Sequence, residues 1–307
     1  MSDRLTEIFK IQKAFSEKYF IEQQKVKLCE MTEADLKKWT KEYILCSSKE
    51  LYEMLDELPW KQHRFIKQNH NIDNFIEEGV DAFKFLLNLF LLHGCTEEQF
   101  FQKFIDKSKV VDIRYEQEKK LKELKDKKDV KLAVIDIDGI VCNHSSAFLS
   151  RSIYRTVHEF KTADINAYNQ LKHEFRTSGF KRNAPVINGA QEFLKNLKDN
   201  GYLILLLTAR PYEKIIRIYA DTLYWLESNN IIYDFLFFNK NKEQFIIDNL
   251  SPEHVKFCID DQIENVNKLS LYFTTYLMPN YTLYDRREIV KVRQNVRIVD
   301  SFEDIKL

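Results

Sequence analysis

Asp136-Ile137-Asp138-Gly139 follows the apolar run Leu132–Ile135 and sets two carboxylates two residues apart, ahead of a glycine. A carboxylate can attack phosphorus and hold the phosphoryl group as an acyl phosphate. A second one nearby can give a proton to the leaving oxygen and later take one from water. Downstream, Thr208-Ala209-Arg210 follows Tyr202–Leu207, Lys240 and Lys242 lie in Phe238-Asn239-Lys240-Asn241-Lys242, and Asp260-Asp261 follows Val255–Ile259. Hydroxyl and ammonium groups hold phosphoryl oxygens, and clustered acids suit a hard cation such as Mg²⁺. Alone, Asp-x-Asp-Gly is commonly a turn, and Asp-Asp at a strand end is commonly a helix cap. Three such groups, each after an apolar run, are far less common by accident.

The order acid–x–acid, hydroxyl, lysine, acid–acid resembles the haloacid dehalogenase superfamily of phosphohydrolases, over about Lys131–Leu307. The resemblance implies Asp136 as nucleophile and Asp138 as general acid and base. It implies Thr208 and one lysine as phosphoryl donors, and Asp136, Asp138, Asp260 and Asp261 around Mg²⁺. Lys242, which opens a helical pattern, is the first choice of lysine and Lys240 the alternative. Gly139 lets the chain turn away from the strand without a Cβ clash, and Arg210 is expected near the same cleft.

These groups need a scaffold. Strand-length apolar runs alternate with helical patterns such as Gly189–Asn200 and Tyr212–Asn229; Tyr233–Phe238 and Thr274–Leu277 are further strand candidates. That alternation predicts right-handed crossovers and a Rossmann-like, doubly wound parallel sheet. Ligands in such sheets sit at the carboxyl ends of the strands. The stretch between Asn143 and Pro185 is helical in pattern and fits a small helical cap, with Arg151, Arg155, Lys181 and Arg182 either on a solvated face or at the leaving group.

Residues 1–118 read differently. Apolar positions recur at three and four, as in Leu5, Ile8, Phe9 and Ile11, or Phe83, Leu86, Leu87, Phe90 and Leu91. That is the helical period and predicts an all-α bundle. His93-Gly94 reads as a helix stop and Thr96-Glu97-Glu98-Gln99 as a capped start. Residues 119–130 form a lysine-rich linker or helix extension, and 131–307 the α/β domain.

Within the helical part, Glu50-x-x-Glu53 and Glu78-x-x-Asp81 share the i, i+3 spacing. Three residues advance about 300°, so each pair lies on one face. Two such helices side by side would aim four carboxylates at one point, a costly crowd unless a cation such as Mg²⁺ neutralises it. A single such pair is usually only a solvated face. The pattern resembles all-α nucleoside triphosphate pyrophosphohydrolases, the dimeric dUTPases and MazG-like enzymes, over about Leu5–Gln117. The resemblance implies Glu50, Glu53, Glu78 and Asp81 as metal ligands, Gln12 as a reader of a pyrimidine base, and Trp60, Lys61, Lys107 and Arg114 as further substrate contacts. It also implies a homodimer through the helical domain. Lys84 stands where that family commonly has histidine.

Composition bounds the partners. Of 307 residues, 47 are Lys or Arg and 47 Asp or Glu, so the net charge is zero. That argues against a stable nucleic-acid complex. No apolar stretch reaches the ~20 residues that cross a bilayer, and Met1–Glu7 lacks the apolar core of a signal peptide. The five cysteines form no Cys-x-x-Cys pair, which fits free thiols in a reducing cytoplasm.

Together the two halves suggest a bifunctional nucleotide hydrolase. The helical half would cut a pyrimidine (d)NTP (dUTP, dTTP or dCTP) to monophosphate and pyrophosphate, and the α/β half would then act as a 5′-nucleotidase on that product. The alternative is a phosphatase for nucleic-acid ends or another small phosphomonoester, with the helical half serving only for dimerisation.

Overall fold

The computed structural model describes residues 3–60, 71–212, 214, 215, 217–283 and 286–306, without the side chains of 286 and 287. It divides into two compact units, Met1–Lys109 and Val110–Leu307.

The first unit is helical. It holds α1 (Arg4–Tyr19), α2 (Glu33–Asp56), α3 (Ile72–Leu92) and the start of α4 (Glu97–Lys125). The starts follow local chemistry. Thr32 and Asp35 close a capping box on α2, Asn71 accepts from Asn74 N ahead of α3, and Thr96 and Gln99 bond reciprocally ahead of α4. Gly94 takes φ +69° after α3, the left-handed stop its sequence predicts. Phe20, Tyr43 and Leu92 form the core, ringed by Tyr19, Trp39, Phe85 and Leu89. Polar bonds tie the helices: Gln12 Nε2 and Ser16 Oγ both donate to Asn88 Oδ1, at 2.8 and 2.6 Å.

The second unit is an α/β domain around six parallel strands, β1 (Leu132–Ile135), β2 (Leu203–Thr208), β3 (Phe235–Phe238), β4 (Val255–Asp260), β5 (Thr275–Leu277) and β6 (Arg297–Ile298). Their order is β3-β2-β1-β4-β5-β6. The order reverses beside β1, so the crevice that receives ligands in such sheets opens between the ends of β1 and β4. Between β1 and β2 come α5 (His144–Leu149), α6 (Val157–Ala163), α7 (Ile165–Thr177), a 3-10 turn at Phe180–Asn183, and α8 (Ala190–Asp199). α9 (Arg217–Ser228), α10 (Lys242–Asn249) and α11 (Ile263–Leu269) join the later strands.

Ile135, Ile204, Leu206, Ile259 and Trp225 lie in one core layer; Leu121, Leu124, Val134, Leu205 and Ile246 lie in the other. The helical insertion has its own aromatic core of Phe148, Phe160, Tyr168 and Phe175.

α4 runs into the stretch 119–130 read as linker or helix extension and ends there at Lys125, and the division between units falls within α4. Leu121 and Leu124 are buried against the sheet's core, and Gln117 Oε1 accepts from Leu236 N at 3.0 Å. The strand β6 went unread because two residues carry no periodicity. No helix among the described residues is long and apolar enough to cross a membrane.

Candidate active site

Asp136 lies one residue beyond β1, where its backbone N–H donates to Ile259 O at 3.0 Å. That bond binds the end of β1 to the end of β4, which carries Asp260. Asp136, Asp260 and Asp261 offer carboxylate oxygens within 4.8 Å of one another, and all three residues are buried. Lys242, the first residue of α10, reaches into them. Its Nζ is 2.6 Å from Asp260 Oδ2 and 2.7 Å from Asp136 Oδ1.

The electrostatics follow from burial. Desolvation pushes the Asp136 carboxyl up to about 7; Lys242 opposes the shift while Asp260 and Asp138 add to it. Asp261 is raised well above its usual value, by burial first and then by Asp260 and Asp136. Burial works against the charge on Lys242, but Asp136 and Asp260 outweigh it and raise its pKa. Asp260 is also held by Gln262 N at 2.8 Å and by Asn265 Nδ2 at 3.1 Å. Asp261 accepts from Gln262 Nε2 at 3.1 Å.

Gly139 has φ +93°, and a Cβ built there would lie 2.1 Å from Asp261 Oδ2. Only glycine fits this approach, for both reasons. Asp138 points to a different set of groups. It accepts from Arg210 Nε at 3.1 Å and from Lys181 Nζ at 3.0 Å. Burial would raise its pKa, but Arg210 and Lys181 hold it well below the usual carboxylate range. Arg210 is fixed in turn by Thr222 Oγ1 at 2.9 Å. Burial lowers the His144 pKa to about 3, so its imidazole stays neutral.

These residues surround one cavity of about 250 Å³, lined by Asp136, Asp138, Gly139, Thr208, Arg210, Lys242 and Asp261, with Phe148, Tyr168, Lys172 and Arg176 from the helical insertion. Of the residues read from the α/β sequence, the structure gathers Asp136, Asp138, Gly139, Thr208, Arg210, Lys242 and Asp261 on the cavity, with Asp260 bonded to Lys242. Lys240 is exposed and does not line it.

Sequence reading missed several neighbours. Lys181 was grouped with a basic stretch, but its ammonium is buried on Asp138, whereas Arg182 pairs with Asp221 at 2.6 Å and Arg151 with Glu174 at 3.2 Å. Gln262 and Asn265 follow Asp260-Asp261 closely enough that their amides were a readable signal. Lys172, Arg176 and His144 had none.

The helical unit gathers fewer of its expected groups. Glu50, Glu53 and Glu78 bring carboxylate oxygens within 4.8 Å of one another and are half-buried. Asp81 is not among them; its local neighbour Lys84 binds it at 3.2 Å, so the expected four-carboxylate cluster is a cluster of three. Gln12 is 4% exposed and its amide nitrogen is engaged by Asn88, so it serves helix packing rather than an open base pocket. Trp60 is 47% exposed and donates to Asp56 Oδ1 at 3.2 Å. Lys107 is exposed in the first unit, while Arg114 belongs to the second and lies 5.3 Å from the Tyr212 ring. Lys107 and Arg114 thus fall in different units. Lys61 lies outside the described residues.

No family model matches the chain, and no curated protein matches it significantly. Solved structures similar to it include a "predicted phosphatase" from Clostridium acetobutylicum, at 14% identity over 57% of this chain and 95% of that one, with a TM-score of 0.42. A D,D-heptose 1,7-bisphosphate phosphatase from B. bronchiseptica, complexed with magnesium and phosphate, matches at 11% identity over 56% and 94%, with a TM-score of 0.36. A dehalogenase matches at 12% identity over 58% and 96%, with a TM-score of 0.38.

Proposed function

We propose that the α/β domain is a Mg²⁺-dependent phosphomonoesterase of the haloacid dehalogenase type, working through an aspartyl-phosphate on Asp136. The observation that carries this reading is the convergence of Asp136, Thr208 and Lys242 on one cavity, with Asp260 and Asp261, at the reversal of strand order.

The donor set fits the metal. Three buried carboxylates crowd together, and two are pushed toward the protonated state by burial and mutual repulsion. Asp136 Oδ1 lies at ion-pair distance from Lys242 but outside hydrogen-bonding geometry, so a buried oxygen keeps its acceptor capacity. An all-oxygen set of this kind suits a hard divalent cation. When bound, Mg²⁺ supplies charge neutralisation between the nucleophile and the phosphoryl oxygens.

The chain's own residues do the rest. An Asp136 carboxylate oxygen attacks phosphorus while the bond to the leaving oxygen breaks. Thr208 and Lys242 donate to the phosphoryl oxygens as charge builds on them. Asp138 is held ionised, which suits it to take the proton from the water that opens the aspartyl-phosphate. The leaving oxygen needs a proton in the first step. The Lys181 ammonium, lowered to about 8 by burial and then Arg210, supplies one through Asp138 and regains it from the water in the second step.

A second reading concerns the helical unit and rests on the convergence of Glu50, Glu53 and Glu78. The Glu50 pKa is raised by burial and by its hydrogen bond with Glu53, whose own pKa the paired Lys49 ammonium lowers; a cation would relieve the remaining crowding of acids. On this reading the unit binds Mg²⁺ and cuts a pyrimidine (d)NTP to monophosphate and pyrophosphate, and the α/β domain removes the remaining phosphate as a 5′-nucleotidase. The exposed Ile11, Phe15, Leu45 and Phe104 favour a homodimer through this unit, since large apolar side chains on several helices are costly in water. On this reading nucleotides are the substrates, and neither a membrane nor a stable nucleic-acid complex is involved. The compartment is the cytoplasm.

A nucleotide panel with Mg²⁺, following pyrophosphate and phosphate separately, tests both readings. Asp136→Asn is expected to abolish phosphate release and leave monophosphate. Glu53→Gln is expected to stop pyrophosphate release and spare monophosphate hydrolysis. Phosphate release that survives Asp136→Asn refutes the first reading; absence of pyrophosphate from every triphosphate refutes the second. A 3′-phosphorylated oligonucleotide cleaved in preference to monophosphates would assign the site to nucleic-acid ends instead.

A further inference from the structure

Two cations on the cavity wall have no work in the chemistry described. Lys172 and Arg176 stand one turn apart on α7, both half-buried, and both line the cavity that holds Asp136. Among the described residues neither makes a hydrogen bond or an ion pair with a carboxylate; Lys172 Nζ lies 5.2 Å from the Tyr168 ring. The other cations of the cavity are all engaged, Lys181 and Arg210 by Asp138, and Lys242 by Asp136 and Asp260. Burial depresses the pKa of both; Arg176 lowers Lys172 further, whereas Tyr168 and Asp138 offset only part of the shift on Arg176. Half-burying two like charges with no carboxylate in contact is unfavourable unless something anionic meets them.

The charge balance gives the same answer. Counting Asp260, five cations face four carboxylates around the cavity. A divalent cation and a dianionic phosphoryl group cancel, so the positive excess remains after both bind. Phe148, Val157, Tyr168 and Leu283 give the wall beside Lys172 and Arg176 an apolar surface.

We infer that Lys172 and Arg176 form a second anion subsite, and that the substrate is a phosphomonoester whose leaving group carries a further phosphate or carboxylate. This rests on the phosphomonoesterase reading of the same cavity and stands against the 5′-nucleotidase step of the second reading, whose nucleoside leaving group carries no further anion. The apolar wall takes the carbon framework between the two anionic groups.

Three matched substrates test it on the full chain with Mg²⁺: glycerol phosphate, phosphoglycerate, and propanediol bisphosphate. Wild type is expected to show kcat/KM at least about tenfold higher for one or both of the doubly anionic compounds, since one charge-assisted contact is worth about 1.5–3 kcal/mol. A preference for the bisphosphate alone assigns the subsite to phosphate; a preference for both assigns it to any anion. The double variant Lys172→Gln/Arg176→Gln is expected to lose the preference and keep its rate on glycerol phosphate, while Lys172→Arg keeps both. Equal rates on all three substrates in wild type overturn the inference, as does an equal fall on all three in the double variant.

No phosphate from any of the three refutes the phosphomonoesterase reading instead. Calorimetry with propanediol bisphosphate then still decides the subsite. Binding weakened at least about tenfold in the double variant supports it, and unchanged or absent binding in wild type and variant overturns it.

Discussion

Lys181 Nζ donates to Asp138 Oδ2 across 3.0 Å, joining the helical insertion to the turn after β1. Lys181 is 3% exposed, and its pKa falls to about 8 through burial and Arg210. An ammonium in that range can exchange a proton during turnover. Activity is therefore expected to decline above about pH 8. Lys181→Arg should lower kcat and remove that alkaline limb, because a guanidinium stays charged and cannot pass its proton on. Lys181→Met should lower kcat by about 100-fold. A pH–rate profile unchanged in Lys181→Arg removes Lys181 from the proton path.

Metal binding is expected to tighten with pH. Asp136 has its folded pKa raised to about 7 and Asp261 is raised as well. A raised folded pKa favours the protonated carboxyl. Its contribution to stability is full below the unfolded value near 3.9 and lost as pH rises through about 7. The metal-free protein should thus lose stability over that interval, and Mg²⁺ should restore it. Thermal melts are expected to show a larger gain from Mg²⁺ at about pH 8 than at about pH 5, and Asp261→Asn should shrink that gain. An equal gain at both pH values would falsify the carboxylate assignment.

Gly139→Ala should damage the metal site without replacing a ligand. The new methyl would collide with Asp261 Oδ2, and φ +93° is strained for any residue with a Cβ. A stability loss of about 1–3 kcal/mol is expected, together with weaker Mg²⁺ binding. Denaturant melts with and without Mg²⁺ measure both; wild-type values for each would show that the turn relaxes freely.

In the helical unit, Gln12 separates a structural role from recognition. Removing its amide leaves Asn88 with one donor fewer in a buried place. Gln12→Met is expected to cost about 1–3 kcal/mol. Unaltered stability with a changed base preference on the nucleotide panel would return Gln12 to base recognition.

Much of the α/β domain was legible because strand ends, acids and chain order are local signals. Lys242 could be preferred to Lys240 since it opens a helix, and the first residue of α10 reaches the strand ends. Lys181 could not be read, because its partner lies across the sheet crevice and nothing beside it in sequence marks it for burial. Asp81 misled for the opposite reason: the i, i+3 rule that paired it with Glu78 pairs it equally with Lys84, and the lysine wins. Gln12 carried a family resemblance, but which way a buried amide turns depends on Asn88, a contact between α1 and α3. The end of α4 confused the boundary because Leu121 and Leu124 serve the sheet's core, while the same helix begins in the other unit.

The seam between β1 and β4 also has a consequence for how the chain is made. The strand β1 emerges from the ribosome long before β4, its neighbour in the sheet. Until β4 docks, β1 can pair with β2 but has an open edge of unpaired backbone N–H and C=O groups among apolar side chains, the kind that recruits other chains. Asp136, at the end of that edge, has no Asp260 beside it at this stage. A divalent ion can therefore be captured by this acid cluster only once the crossover from β3 to β4 closes, so metal uptake would come late in the folding of this domain rather than at its start.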